Sequence, residues 1–187
     1  MSYTERRRFL WILFLMGIAL AAVVASATTL VPLSFTDLAH QSVAVARLRC
    51  VSSQTLWDRG EIWTDTHFQV VERYKGALEF AITVRTLGGR SGNFNSHVDG
   101  VPAFHPGEEV YLFLWGQPGE PYRVLGWSQG TFRIARNPQS GEEKITQESA
   151  TTAIDPHGHL LRTAGVHGMA APIFKEKLRQ ALNPPTR

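Results

Sequence analysis

The groups in this 187-residue chain that could do chemistry are seven histidines, one cysteine and a few adjacent carboxylates. His157-Gly158-His159 is the only close histidine pair. Flexible His-x-His can meet a metal, but a site needs a third ligand, usually from rigid structure, and His167 serves only if the chain folds back. There is no His-Glu-x-x-His and no Gly-x-Ser-x-Gly. Ser96 beside His97 defines nothing, because a catalytic triad is a spatial arrangement. Glu108/Glu109 and Glu142/Glu143 are neighbours at turns and read as solvated charge, and Asp58/Glu61 is a third pair. A glycosidase pair needs two carboxyls facing across about 5–10 Å, which spacing in sequence does not establish. Gly88-Gly89-Arg90-Ser91-Gly92 lacks the Gly-Lys-Ser/Thr ending of a phosphate loop and reads as a flexible turn. No catalytic residue, metal ligand or cofactor is assigned from these patterns.

Binding has the better material. Trp57, Trp63, Trp115 and Trp127 all fall in the β-rich part of the chain. Exposed aromatics stack sugars or fill partner pockets, although tryptophan is more often core. Trp57 and Trp63 flank the loop expected after the first strand. Arg90 and Asn93 lie on the Gly88–Gly100 loop, which forms the adjacent rim. Trp57, Trp63, Arg90 and Asn93 are the candidate binding surface, with an exported protein or a glycan as the expected partner.

The elements that position these residues follow a leader. Arg6-Arg7-Arg8, the apolar run Phe9–Val24 and the small-residue site Ala25-Ser26-Ala27 have the order of a secretory signal peptide. The apolar run is somewhat short of the roughly 20 residues of a spanning helix. Cleavage near Ala27 would export a chain beginning at Thr28, to the periplasm or outside the cell; an uncleaved inner-membrane anchor is the alternative. Arg-Arg-x-Phe-Leu also resembles a twin-arginine signal, whereas Glu5 and the Leu/Ile/Phe-rich core fit the general secretory route. The whole chain has 19 basic and 16 acidic residues. Three of those arginines are in the leader, so the remainder is near neutral and shows no basic stripe of the kind nucleic acid needs. Membrane contact is expected only through the N-terminal segment. Arg47 and Arg49 share a strand face and read as solvated. Cys50 alternates with Ala46 and Leu48, as a small buried hydrophobe does, and a single cysteine makes no intramolecular disulfide.

Period-2 alternation predicts strands at Val43–Val51, Glu61–Tyr74, Glu79–Leu87, Val110–Trp115, Tyr122–Trp127, Thr131–Ala135 and Lys144–Thr146. In Val110–Trp115 both faces are apolar, the mark of a central strand covered on both sides. Phe80, Ile82 and Val84 are expected to point inward. Ser34 and Asp37 frame a capping box for a two-turn helix. Pro172 opens a C-terminal helix with Phe174, Leu178, Ala181 and Leu182 on one face. The expected divisions are a signal peptide at 1–27, a β-barrel domain at 28–147, an irregular segment at 148–171 and a docking helix at 172–183. The fold class expected is mainly β: a small antiparallel barrel of six or seven strands with a short N-terminal and a C-terminal helix. A β-sandwich is the alternative.

Phe35-x-Asp37-Leu38, Tyr74-Lys75-Gly76, Thr83-Val84-Arg85-Thr86-x-Gly88-Gly89, Pro102-x-Phe104-x-x-Gly107-Glu108-Glu109-Val110 and Gln129-Gly130-x-Phe132 occur together over Leu33–Ile134. As a set they resemble a family of uncharacterised bacterial exported proteins. That family is similar in turn to the oligonucleotide/oligosaccharide-binding barrel of tissue inhibitors of metalloproteinases and netrin modules. The resemblance implies the fold and a protein-binding role toward an exported protease or another envelope protein. It does not imply zinc chelation by a terminal cysteine, because Thr28 would stand first and only Cys50 exists. The expected function is an exported, non-enzymatic binding module. The alternatives are an exported metal- or carboxylate-based hydrolase and a membrane-anchored structural protein of the envelope.

Overall fold

The computed structural model describes residues 32–117, 119–148 and 165–183, with the backbone alone at 152–154 and 160–162. His157, His159 and the leader lie outside the described residues. Helix α1 (Phe35–Gln41) starts where the capping box predicts: the Asp37 N–H donates to Ser34 Oγ, and the Ser34 N–H donates back to the Asp37 carboxylate, both at 3.1 Å. Its Leu38 and Ala39 are fully buried.

Strands β1 (Ala44–Asp58) and β2 (Glu61–Lys75) form one long hairpin. The expected loop at Ser52–Gly60 is a strand closed by a two-residue turn. Arg59 and Gly60 are both left-handed (φ 51° and 87°), the conformation that matches strand twist in tight hairpins. Polar side chains misled the reading, yet hydroxyls suit a ladder: Ser53 pairs with Thr66 at 3.0 Å and Thr55 with Thr64 at 3.4 Å. Register shifts at Val45/Ala46, Arg47/Leu48 and Cys50/Ser52 are bulges that bend the hairpin.

The chain continues through β3 (Ala81–Leu87), then β4 (Gly89–Ser91) and β5 (Phe94–Ser96), a small hairpin where a loop was expected. Phe80 stands outside β3 and is exposed, not inward. After β6 (Glu109–Trp115) and the two-residue β7 (Arg123–Val124), a 3-10 turn at Trp127–Gly130 leads into β8 (Thr131–Arg136) and β9 (Glu143–Gln147). β10 (Thr152–Ile154) pairs with β11 (Leu160–Arg162), and β12 (Met169–Ala170) runs into α2 (Ala171–Leu182).

The main sheet is antiparallel in the order β12-β9-β8-β6-β1-β2-β3, and β7 also pairs with β6. One edge of β6 is shared: Val110–Leu112 take β8, while Leu114 and Trp115 take β7. The mainly-β class and both helices stand as expected, but the sheet is not a closed barrel. The β3 edge meets the β7 branch only at Val84 and Tyr122, where two backbone hydrogen bonds of 2.7 and 2.8 Å form. Pro121 on one side has no N–H to offer, and left-handed Gly126 and Trp127 end the strand predicted to run to Trp127.

The fork makes two cores. Inside the curl, Ala46, Leu48, Cys50, Phe68, Val84, Leu112 and Leu114 pack together. On the other face of β6, Tyr111 and Phe113 meet Phe132, Phe174 and Leu178 under α1 and α2. Tyr111 and Phe174 approach to 4.8 Å between centroids, and Phe35 stands edge-on to Phe113, Phe132 and Phe174 at 5.6–5.8 Å. Both faces of β6 are therefore buried through Leu114, and Trp115 emerges from that cover.

Arg47 is not on a solvated face. It is buried, with Nε on Glu109 at 2.7 Å and a two-pronged bond to Glu143 at 2.9 and 2.7 Å. Those hydrogen bonds hold the Glu143 carboxyl at about 2, below its ordinary 4.5, with Arg136 adding to the effect. Removing a buried partner strands the opposite charges. Arg47→Ala is expected to destabilise by about 3–5 kcal/mol in urea titration; half-exposed Arg49, also on Glu109, should cost less than about 1 kcal/mol as Arg49→Ala. A depressed carboxyl stabilises the fold above its unfolded pKa. The Glu143 contribution is therefore complete above pH 4.5 and disappears as pH falls toward 2, which acid titration of Glu143→Gln beside the parent chain will show as converging stabilities.

Candidate aromatic cleft

Two strands and one turn bring three tryptophans to one cleft. Trp63 of β2 lies across from Leu87 of β3. Trp115 ends β6 and pairs in register with Arg123 of β7. Trp127 opens the 3-10 turn. These residues, with Arg85, Glu61 and Val101, line a cleft of about 290 Å³.

The Arg123 guanidinium lies 4.6 Å from the Trp63 ring and 5.8 Å from the Trp115 ring. It has no carboxylate partner among the described residues, so its N–H edges are open to solvent. Arg85 differs. It makes a two-pronged pair with Asp65 at 2.6 and 2.7 Å, with Asp58 behind at 3.4 Å, and its charge is compensated. Asp65 raises the Arg85 pKa accordingly. The cleft thus offers flat apolar faces, one free cationic donor in Arg123 and one exposed carboxylate acceptor in Glu61.

Trp127 is held in an unusual way. Its φ is 54°, a left-handed conformation that is an outlier for a bulky residue. Neighbouring bonds enforce it: the Ser128 N–H donates to Gly100 O at 2.9 Å, and Thr131 Oγ1 donates to Trp127 O at 3.1 Å. Strain of this kind persists only where surrounding structure fixes it, and it concentrates at functional positions.

No family model, no curated protein and no solved structure matches the chain. The site is therefore read from its own geometry.

The four residues expected to form one surface lie in two places. Trp63 is in the cleft. Trp57 pairs with Ile62 across the hairpin and so projects from the opposite face, where it stacks edge-on with Phe94 of β5 at 5.6 Å. Exposed Arg90 and Asn93 belong to that β4–β5 hairpin, and Arg90 lines a hydroxyl-rich hollow of about 220 Å³ with Thr64, Thr66 and Thr86. Trp115 and Trp127 stand among the four tryptophans of the β-rich region but outside the expected surface, and nothing in the sequence marks Arg123. A signal did exist: Trp115 and Arg123 flank a Gly/Pro loop in a way that allows hairpin pairing, which places them side by side.

Cys50 is buried, and burial pushes its thiol pKa up. Among the described residues no three His, Cys, Asp or Glu side chains come together as a metal would require, and no helix is long and apolar enough to cross a membrane.

The backbone at residue 127 gives a direct check. Trp127→Gly and Trp127→Ala both remove the indole, but only glycine adopts positive φ without strain. The glycine variant is expected to be the more stable by about 1 kcal/mol in urea denaturation; equal stabilities would mean the left-handed turn is not retained.

Proposed function

We propose that the chain is an exported, non-enzymatic binding module that receives its ligand in the Trp63–Trp115–Trp127 cleft. The observation that carries this reading is the concentration of three tryptophans, one of them exposed, and an uncompensated arginine in the lining of one cleft. Trp115 is 45 % exposed although Tyr111 and Phe113 on the same strand face are fully buried. Concave apolar surface with a few convergent polar groups is the usual form of a recognition site. The partner is an envelope constituent, either an exported protein or a glycan. The likeness to inhibitor-type barrels favours a protein such as an exported protease, and the shape of the cleft favours a glycan. The open, curled sheet is compatible with that barrel class, which is itself partly open.

Two measurements test the reading. Immobilised parent chain is expected to retain a component of the native envelope that Trp115→Ala releases. Equal retention by both, or none above background, would remove the cleft from the account. For export, N-terminal sequencing of the secreted form is expected to begin at Thr28; retention of Met1 would favour the membrane-anchored alternative.

A further inference from the structure

The hollow of about 400 Å³ beside His67, Glu79 and Tyr122 holds acids and a histidine without convergent geometry. The Trp57–Phe94 pair is an exposed apolar knob on a small hairpin, with no concave surface at the pair itself to define a partner. The hydroxyls of Thr64 and Thr86 already donate to Gly88 O and Thr64 O. The cleft alone combines apolar faces with polar groups left unused.

We infer that the cleft reads an acidic sugar: a pyranose ring bearing a carboxylate, stacked on the exposed Trp115 indole, with its carboxylate on Arg123 and a hydroxyl on Glu61. This rests on the binding reading above and specifies its ligand. Three observations lead to it. The volume of about 290 Å³ suits one ring or a short stretch of chain, not a folded epitope. Exposed indoles next to polar groups match a sugar ring, whose faces are apolar and whose rim carries hydroxyls. The third observation concerns charge. Arg85 is neutralised by Asp65 and Asp58, whereas Arg123 packs 4.6 Å from the Trp63 ring and 5.8 Å from the Trp115 ring with no carboxylate partner among the described residues. A pre-oriented guanidinium binds carboxylate through two parallel hydrogen bonds and loses little entropy in doing so. Glu61 carries the complementary acceptor and has no ion-pair partner among the described residues.

A peptide is the competing ligand class. An extended peptide gains its affinity by adding to a free sheet edge. The β3 edge is engaged where the Arg85 N–H and Thr83 O bond to Tyr122, and only Thr86 and Leu87 of that strand remain beside the cleft, a short run for strand addition. The geometry favours the sugar.

The experiment follows tryptophan fluorescence of the purified chain during titration with three probes: a glucuronate-containing oligosaccharide, its glucose counterpart of the same linkage, and an acidic peptide of similar size. Parent, Arg123→Gln and Trp115→Ala chains are compared, after urea midpoints establish that these exposed positions leave folding intact. The glucuronate probe is expected to bind about tenfold more tightly than the neutral one, the worth of a charge-assisted hydrogen bond. Arg123→Gln is expected to bring that ratio to about one. Trp115→Ala is expected to weaken both sugars. Equal affinity for acidic and neutral sugars in the parent would overturn the acidic assignment and leave the cleft standing. Binding of the peptide alone, lost in Trp115→Ala, would overturn the sugar and likewise keep the cleft. No binding of any probe would overturn the sugar, with the envelope capture deciding the cleft separately. Sugar binding unchanged in Trp115→Ala would sink both.

Discussion

The structure depends on β6 being buried on both faces. Val110, Leu112 and Leu114 fill the inside of the curl, while Tyr111 and Phe113 carry the aromatic cluster beneath the two helices. A strand buried on both sides anchors two layers at once, and here it also divides its free edge between β7 and β8. That division determines where cover stops. β8 leads to β9 and the helices, whereas β7 lies beside β3, bridged to it at Val84 and Tyr122. Trp115 falls at this boundary, so the same alternation that buries Tyr111 and Phe113 leaves the next residue on their face in the cleft.

The bend of the β1–β2 hairpin completes the site. Before the shift at Cys50/Ser52, the inward set of β1 is Ala46, Leu48 and Cys50; after it, Ser53 and Thr55 face inward opposite Thr66 and Thr64. One extra residue exchanges the two faces of the strand beyond it. Trp57 and Trp63, close in sequence, therefore finish on opposite sides. The inner lining also changes from hydrocarbon to hydroxyl at this point, which is why the curl holds a dry core at one end and a polar hollow at the other.

What the sequence made legible was local. Alternation in Val110–Trp115 predicted the doubly buried strand, Ser34 and Asp37 marked the cap of α1, and the spacing of Phe174 and Leu178 marked the inner face of α2. What it hid was set by pairing between distant segments. Arg47 looks solvated until Glu109 and Glu143, 62 and 96 residues away, are brought to it by neighbouring strands. The bulge that separates Trp57 from Trp63 exists only relative to β2. Ser52–Asp58 reads as loop by composition, because the hydroxyls that favour turns also pair well across a ladder. Arg123 is one exposed arginine among many until β7 sets it beside Trp115.

The energetics of the cleft distinguish a site from incidental exposure. Stacking an arginine on tryptophan at an exposed position contributes only about 0.5–1 kcal/mol. Burying indole surface returns roughly 25 cal/mol per Å², so a fold shaped by stability alone would draw cover over Trp115. This one instead keeps Trp127 in a left-handed conformation that costs about 1–2 kcal/mol for a non-glycine residue. It also fixes that conformation through bonds to Gly100 and Thr131. A strained backbone that places Trp127 in the lining of a cleft, where two other tryptophans pack on a guanidinium without a counter-charge, makes sense when a ligand supplies both the missing cover and the missing charge.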